Sequence, residues 1–533
     1  MSASPAPFDV ISRERFSKIL WLLGAVLIAC AATFIVMTRH WPMVGDAALM
    51  RYDVFLIRDG WAPYRDFVDI NMPGAFWATD LAMLLPGQPD AAWRIFDLAL
   101  VALAGVGYYV IAKPYSRFAA LFATVLLLLV HGQDGVQQAG QRDLVIAALL
   151  ILAFAFLVEA LRQNRWFYLV PFGLAVGVAA TIKPTADPLG LLLLAMVVIY
   201  RVRRREANSL EALGWFAAGV GAMAVPLAAM LLWLVHKGAW RAWAATERLL
   251  LPYYAALDRR PLGFTFSHSI SPVAALVVLW LVCLALRGPR WPGFERLLAA
   301  TAAVVNLLGL LIQGKALPYQ RYPMLVFLLL LIALDLSTAW QRREGASRAA
   351  RYVAITGLCC GCLVIAPLAL ARVHRFVGKR QRFDALLAAD LRRINDGDVS
   401  GRVQCLDTIQ DCLPTLDRMQ LLPATPLLAD QALFDRRRQR AVEMLRRRFE
   451  QAVTARPPLV FVAVSGYFLN GGDGYRKLER WPAFQRWLAA HYTLAVERPS
   501  AGEVRWWNRT QPEPGYRLYV LKGTPMRLEI GNR

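Results

Sequence analysis

Hydrophobic residues in this chain come in long unbroken runs, with little polar interruption at helical or strand spacing. Eleven such runs lie near 18–37, 92–112, 116–130, 144–161, 166–182, 186–200, 212–235, 270–286, 297–312, 322–340 and 352–371. Most approach the roughly 20 apolar residues a helix needs to cross a bilayer, so they predict about eleven transmembrane helices. A further apolar piece at 72–86 is shorter, begins Met72-Pro73-Gly74 and carries Asp80. It predicts a helix lying at, or dipping into, the membrane surface, because a short span with a carboxylate in it is costly.

The loops between the runs sort by charge. Lys113 and Arg117; Arg162 and Arg165; Arg201, Arg203, Arg204 and Arg205; Arg287, Arg290 and Arg296; and Arg342, Arg343, Arg348 and Arg351 all fall in alternate loops. That bias marks the cytoplasmic side and places the N-terminus there. Counting 72–86 as a crossing would move the 201–205 cluster outside. The loops 38–91, 131–143, 183–185, 236–269 and 313–321 then face outward, together with everything after residue 371.

Beyond residue 371 the pattern changes. Short apolar runs at 401–406 and 458–464 read as buried strands, and 492–496 and 516–521 as further strands. Helical stretches near 380–396, 431–453 and 481–491 intervene. Strands alternating with helices predict a small extracytoplasmic α/β domain over 372–533, behind a membrane domain over 1–371.

Composition supports the membrane reading: 57% of the 533 residues are hydrophobic and only 18% charged. Mean hydropathy is +0.40. The 60 basic residues against 38 acidic ones, a net charge of +22, would suggest nucleic acid in a soluble chain. No recognition motif accompanies the charge, so no nucleic-acid partner is expected. Arginines flanking spans and attraction to anionic membrane lipids account for it. Of the seven cysteines, Cys30, Cys283, Cys359, Cys360 and Cys362 lie in or beside apolar runs and read as packing residues. Cys405 and Cys412 fall in the outer domain, where oxidation is permitted, and whether they pair stays open. No metal-ligand spacing occurs.

The outer loops carry the chemistry. Five acids crowd the first one: Asp46, Asp53, Asp59, Asp66 and Asp69. Asp53 and Asp59 read as solvated loop residues. Asp46 follows the first span closely, and Asp69 precedes the Pro73-Gly74 helix entry. Both can therefore be held at membrane depth, where a carboxylate is expensive and usually functional. Arg94 and Asp97, three apart in one span, read as a structural ion pair. His131, His236 and His268 are scattered and receive no role. The aromatic pairs Trp240/Trp243, Tyr253/Tyr254 and Trp506/Trp507 read as interface belts, with Tyr253-Tyr254 as an alternative sugar platform.

The stretch Tyr64-Arg65-Asp66-Phe67-Val68-Asp69-Ile70-Asn71-Met72-Pro73-Gly74, with Asp46 before it, resembles the GT-C glycosyltransferases. The protein O-mannosyltransferase and lipid A aminoarabinose transferase group, and family-39-like envelope enzymes, show a similar PYRDF-D-KPPG pattern. Here Asn71-Met72 stands where that pattern has a cation. Gly140-Gln141-Arg142-Asp143, Thr181-Ile182-Lys183-Pro184-Thr185 and Gly314-Lys315-Ala316-Leu317-Pro318-Tyr319-Gln320-Arg321-Tyr322-Pro323 resemble three further elements of the group, with Gln320 where His is common.

The resemblance implies an inverting glycosyltransferase using a polyprenyl-phosphate sugar, with a glycan, lipid or protein as acceptor. Its setting would be a bacterial inner membrane with the C-terminal domain periplasmic. By resemblance Asp46 is the base, and Asp69 orients hydroxyls or tunes Asp46. The leaving phosphate needs positive charge, for which Arg142, Lys183, Lys315 and Arg321 are the candidates; their alternative is snorkelling to the interface. Tyr64, Asp66 and Tyr319 are further substrate-binding candidates. No cofactor is expected, and a divalent metal stays open. The expectation is that acids and cations converge on one outer pocket. A flippase or transporter for lipid-linked sugars is the main alternative, and an envelope scaffold a third. Against transport stand the missing internal repeat and the gathering of acids on one face.

Overall fold

The computed structural model describes residues 7–288, 291, 293–341, 346–374, 383–408, 411–437, 439–466, 474–500, 503–506, 509–512 and 514–527. Arg290, Arg342, Arg343, Trp507 and positions 380–382 of an expected helix lie outside them. In chain order the first helices are α1 (Pro7–Thr38), α2 (Asp46–Arg58), α3 (Pro73–Met83), α4 (Pro89–Ala112) and α5 (Arg117–Gly132). Next come α6 (Arg142–Gln163), α7 (Leu169–Ile182), α8 (Ala186–Arg203), α9 (Ser209–His236) and α10 (Trp240–Ala256). They are followed by α11 (Leu262–Ile270), α12 (Ala274–Ala285), α13 (Gly293–Gln313), α14 (Tyr322–Gln341), α15 (Arg348–Cys359) and α16 (Ala366–His374). The tail adds α17 (Phe383–Leu391), α18 (Cys412–Arg418), α19 (Arg440–Ala455) and α20 (Pro482–His491).

Every one of the eleven apolar runs is helical. Helix is the form in which an open segment satisfies all its backbone polar groups without water. Among the described residues, eight helices are long and apolar enough to cross a membrane, and two more apolar ones, Arg117–Gly132 and Trp166–Ile182, are shorter. The run expected at 270–286 begins earlier, at Leu262, through a 3-10 turn at Ser271–Val273. The helix expected at 72–86 is the 11-residue α3. At 1.5 Å per residue it is about 16 Å long, roughly half a hydrocarbon core.

The chain packs as two compact units. The first comprises 1–42, 85–230 and 260–377. Its centre is α14, in which every residue from Tyr322 to Trp340 is buried. Tyr108 on α4 donates to the Val326 carbonyl at 2.8 Å. Helices α7 and α9 approach closely: a Cβ added at Gly173 or Gly177 would stand 2.4 and 2.3 Å from the carbonyls of Gly219 and Met223. Small residues at such contacts let dispersion act where no hydrophobic effect operates between helices. Towards one end, Arg162 donates to Glu295 at 2.7 and 3.0 Å, and Arg296 grips Asp335 at 3.0–3.2 Å.

The second unit comprises 43–84, 231–259 and 378–533. Its framework is a four-stranded sheet made of β1 (Val403–Leu406), β2 (Val460–Val464), β3 (Tyr492–Arg498) and, last in the chain, Tyr516–Leu521. Between them β4 (Glu503–Trp506) and β5 (Arg509–Pro512) form a separate antiparallel pair, so the last strand is β6. The order is β1-β2-β6-β3, with β1 and β2 parallel and the other pairings antiparallel. Every residue of β1 and β2 is buried. Alternation explains why their sequences read as solid apolar runs: Val403, Cys405, Val460 and Val462 point into one core, and Leu406, Phe461 and Ala463 into another. Tyr52, Leu56 and Phe67 complete the first core, and Leu250, Tyr253 and Leu257 the second. Cys405 and Cys412 form a disulfide, with Cα atoms 6.0 Å apart.

Several sequence expectations are corrected here. The segment 38–91, expected as a loop, contains the amphipathic α2, and the segment 236–269, also expected as a loop, is largely α10 and α11. Asp53 is fully buried, not solvated. Tyr253 is no sugar platform: its side chain is buried and its hydroxyl donates to Asp435 at 2.9 Å. The tail helix expected at 431–453 starts only at Arg440, because 431–434 form a turn.

Candidate active site

Asp46, Tyr64, Asp66 and Asp69 belong to the second unit. Asp46 opens α2, preceded by Gly45 at φ 62°, a conformation that costs an L side chain but not glycine. A carboxylate in the first turn sits favourably against the helix dipole, and Asp46 is half-buried there. Two contacts hold α2 in place: Tyr52 donates to the Leu421 carbonyl at 3.0 Å, and Arg51 pairs with Asp417 at 3.2 Å.

Burial pushes the Asp417 carboxyl up to about 6, outweighing the opposite pull of Arg51. A folded-state value above the ordinary one means the native protein holds that proton more tightly than the unfolded chain. The resulting stability is complete below about pH 4 and is lost as pH rises through about 6. Thermal unfolding of the unsubstituted protein should therefore lose, between pH 4 and pH 7, a contribution on the order of 3 kcal/mol that Asp417→Asn lacks. Parallel pH profiles for the two proteins would refute this.

The 62–74 segment folds tightly on itself. Asp66 accepts the Ala62 N–H at 2.7 Å and two Arg65 donors at 2.8 Å, which hold its carboxyl below the usual range. Tyr64 is buried, at φ 68°, and its hydroxyl donates to the Asn71 carbonyl. The buried Asp69 accepts the Asn71 N–H in an Asx-type turn just before α3. Tyr64 and Asp66 thus shape the loop that presents Asp69.

Glu247, on α10, escaped the sequence reading. It is half-buried, and its carboxyl is held above the usual range by burial and by the negative charge of Asp69. The Tyr64 and Tyr254 hydroxyls are also raised, first by burial and then by Asp69. Asp69 therefore sits in a negative environment that includes a second carboxylate. Nothing in the local pattern of the α10 sequence marked Glu247, since its partner lies 178 positions earlier. Among the described residues no group of three or more His, Cys, Asp or Glu side chains is arranged to hold a metal ion.

Arg142, Lys183, Lys315, Tyr319 and Arg321 belong to the first unit. Lys183 follows α7 directly, and its ammonium donates to Asp143 Oδ1 at 2.9 Å. Arg142 opens α6, with Gln141 as its cap residue. Lys315 and Tyr319 are half-buried in the connection from α13 to α14. Arg321 is buried, pairs with Asp134 and donates to the His268 carbonyl at 3.2 Å. Lys183 and Arg321 thus each pair with a carboxylate, Asp143 and Asp134 respectively.

Arg94 and Asp97 form the expected buried ion pair. His131, given no role by its sequence context, joins it: its ring lies 2.9 Å from Asp97 Oδ1 and 3.0 Å from the Tyr322 hydroxyl.

Many apolar helices, a mixed-sheet tail and acidic and basic motifs in the intervening loops define a multi-pass membrane protein of the GT-C fold, as the loop motifs imply. More particularly, residues 71–233 match the family described as dolichyl-phosphate-mannose-protein mannosyltransferase. The chain is similar in structure to ArnT from Cupriavidus metallidurans bound to undecaprenyl phosphate, with a TM-score of 0.55 and 16% identity over 93% of this chain and 98% of that one. The apo form of that protein gives a TM-score of 0.57 at 16% identity, over 94% and 98% of the two chains. The oligosaccharyltransferase AglB from Archaeoglobus fulgidus, in complex with an inhibitory peptide and a dolichol-phosphate, gives 0.50 at 12% identity, over 84% and 70%. No curated protein matches the chain in sequence.

Proposed function

We propose that this protein is an inverting glycosyltransferase. It moves a sugar from a polyprenyl-phosphate donor to an envelope glycan, lipid or protein acceptor at the periplasmic face of a bacterial inner membrane. What supports this most is that the chain shares, nearly end to end, the fold of a protein whose structure holds undecaprenyl phosphate.

In the proposed reaction the acceptor oxygen attacks the anomeric carbon as the bond to the phosphate oxygen breaks. The bonding pair leaves with the phosphate, so no acid is needed on that side. The acceptor proton passes to the Asp46 carboxylate. Asp69, beside Glu247, orients acceptor or sugar hydroxyls. Arg142, Lys183, Lys315 and Arg321 supply positive charge and hydrogen-bond donors to the departing phosphate. Arginine can take two phosphate oxygens at once, so Arg142 and Lys315 are not interchangeable. The domain over 372–533 contributes to acceptor choice.

The test is transfer of labelled sugar from a synthetic polyprenyl-phosphate sugar to envelope acceptors by the purified protein in lipid nanodiscs. Arg142→Ala and Lys315→Ala should each raise the donor KM about tenfold, the size of one charge-assisted contact. Donor KM values matching the unsubstituted protein would remove both residues from the phosphate site.

A further inference from the structure

The buried network of Arg94, Asp97, His131 and Tyr322 has no part in the proposed chemistry, yet its side-chain bonds tie α4, α5 and α14 together. All four side chains are buried. Arg94 pairs with Asp97, donates to the Thr38 hydroxyl, and lies 5.0 and 5.1 Å from the ring centres of Phe34 and Trp41. Arg94 and Asp97 carry opposite charges, which makes the pair tolerable among apolar helices.

One of its bonds leaves the helices. Asp97 Oδ1, already 2.9 Å from His131, also accepts the backbone N–H of Gly140 at 2.6 Å. Trp93, on the preceding turn of α4, donates through its indole to the adjoining Ala139 carbonyl at 3.0 Å. Gly140 has φ +63°, and a Cβ there would stand 2.5 Å from the Trp93 ring. The turn that launches α6 is thus clamped from one side by Trp93 and Asp97. Two residues later come Arg142 and then Asp143, the partner of Lys183.

We propose that Asp97 and His131 are positioning residues for the lipid phosphate. Asp97 fixes the Ala139–Gln141 turn, and His131, braced by Tyr322, fixes Asp97. The start of α6 then holds Arg142 and the Asp143–Lys183 pair in register. This rests on the phosphate-binding reading of Arg142 and Lys183 given above.

Undecaprenyl phosphate is the probe, titrated against the purified full-length protein in detergent with tryptophan fluorescence as the signal. Asp97→Ala should weaken binding about tenfold, and Asp97→Asn, which keeps an oxygen for the Gly140 N–H, should restore most of it. Gly140→Ala leaves every charge in place and should weaken binding by a similar factor; it decides the matter if Asp97→Ala does not fold. In turnover the donor KM should rise while the acceptor KM stays put. A merely structural role would lower the unfolding temperature and leave the affinity unchanged, and that result for folded Gly140→Ala overturns the proposal. Weakened binding in Arg142→Ala with none in Gly140→Ala would leave the phosphate reading standing and remove this one. No binding by the unsubstituted protein would overturn both.

Discussion

Asp46→Asn should lower kcat by about 10²–10⁴-fold, the range a positioned general base contributes, and leave the donor KM nearly unchanged. The substitution is sterically silent. Asn keeps an oxygen at the start of α2, and the charge–dipole part of the loss costs about 0.3–1 kcal/mol. The clamps on α2 through Tyr52 and Arg51 do not involve Asp46. Loss of turnover at an unchanged unfolding temperature would therefore report chemistry and not unfolding. Asp69→Asn provides the contrast. Its retained oxygen can still accept the Asn71 N–H, and its proposed task is orientation, so its effect should fall on the acceptor KM as well as on kcat. Initial rates for both variants at saturating donor separate the two roles. A normal kcat in Asp46→Asn would require another base, and the half-buried Glu247 would be examined next.

Lys477→Met should produce the largest loss of stability. Lys477 and Asp430 are both fully buried and paired at 2.7 Å. The same ammonium donates to the carbonyls of Leu406 at 2.7 Å and Gly466 at 3.2 Å, at the carboxyl ends of β1 and β2. Asp430 also accepts the Thr408 hydroxyl. Removing the cation leaves a carboxylate with no exposure and no counter-charge, which costs about 3–5 kcal/mol. For a unit of this size that is on the order of 6–20 °C in unfolding temperature. The double variant Lys477→Met/Asp430→Asn should recover part of the loss, because no buried charge remains. A single variant within about 2 °C of the unsubstituted protein would mean that water or a shifted side chain neutralises Asp430.

The membrane helices were legible because a helix in lipid must be apolar nearly throughout, so its whole sequence carries the signal. β1 and β2 were legible for a related reason, being buried on both faces. The elements that escaped are those whose fate depends on distant partners. In α2 the buried Asp53 looks like any loop acid, and nothing in its local sequence marks the burial. In α10 the Glu247 and Arg248 charges masked a helix whose apolar face meets Leu445 and Phe461 in one core. His131 looked isolated because Asp97 and Tyr322 are 34 and 191 positions away. Among the candidate site residues, Asp46, Asp69 and the cations were proposed from loop position and motif. The tethering of Lys183 to Asp143 and of Arg321 to Asp134 needed coordinates, since sequence spacing says nothing about which carboxylate a long side chain reaches.

The interleaving of 43–84 with 378–533 has a consequence for biogenesis. Tyr52, Leu56 and Phe67 sit in a core whose remaining members begin to emerge roughly 300 residues later. The last of them, Val520, follows about 450 residues behind, so at about 5–20 residues per second the early segment waits on the order of 20–90 s before that core can close. A ribosome halted before the last strand would leave an assembled membrane bundle bearing an unfinished acidic loop. Synthesis of β6 is thus the step that completes the core beneath α2, which Asp46 opens.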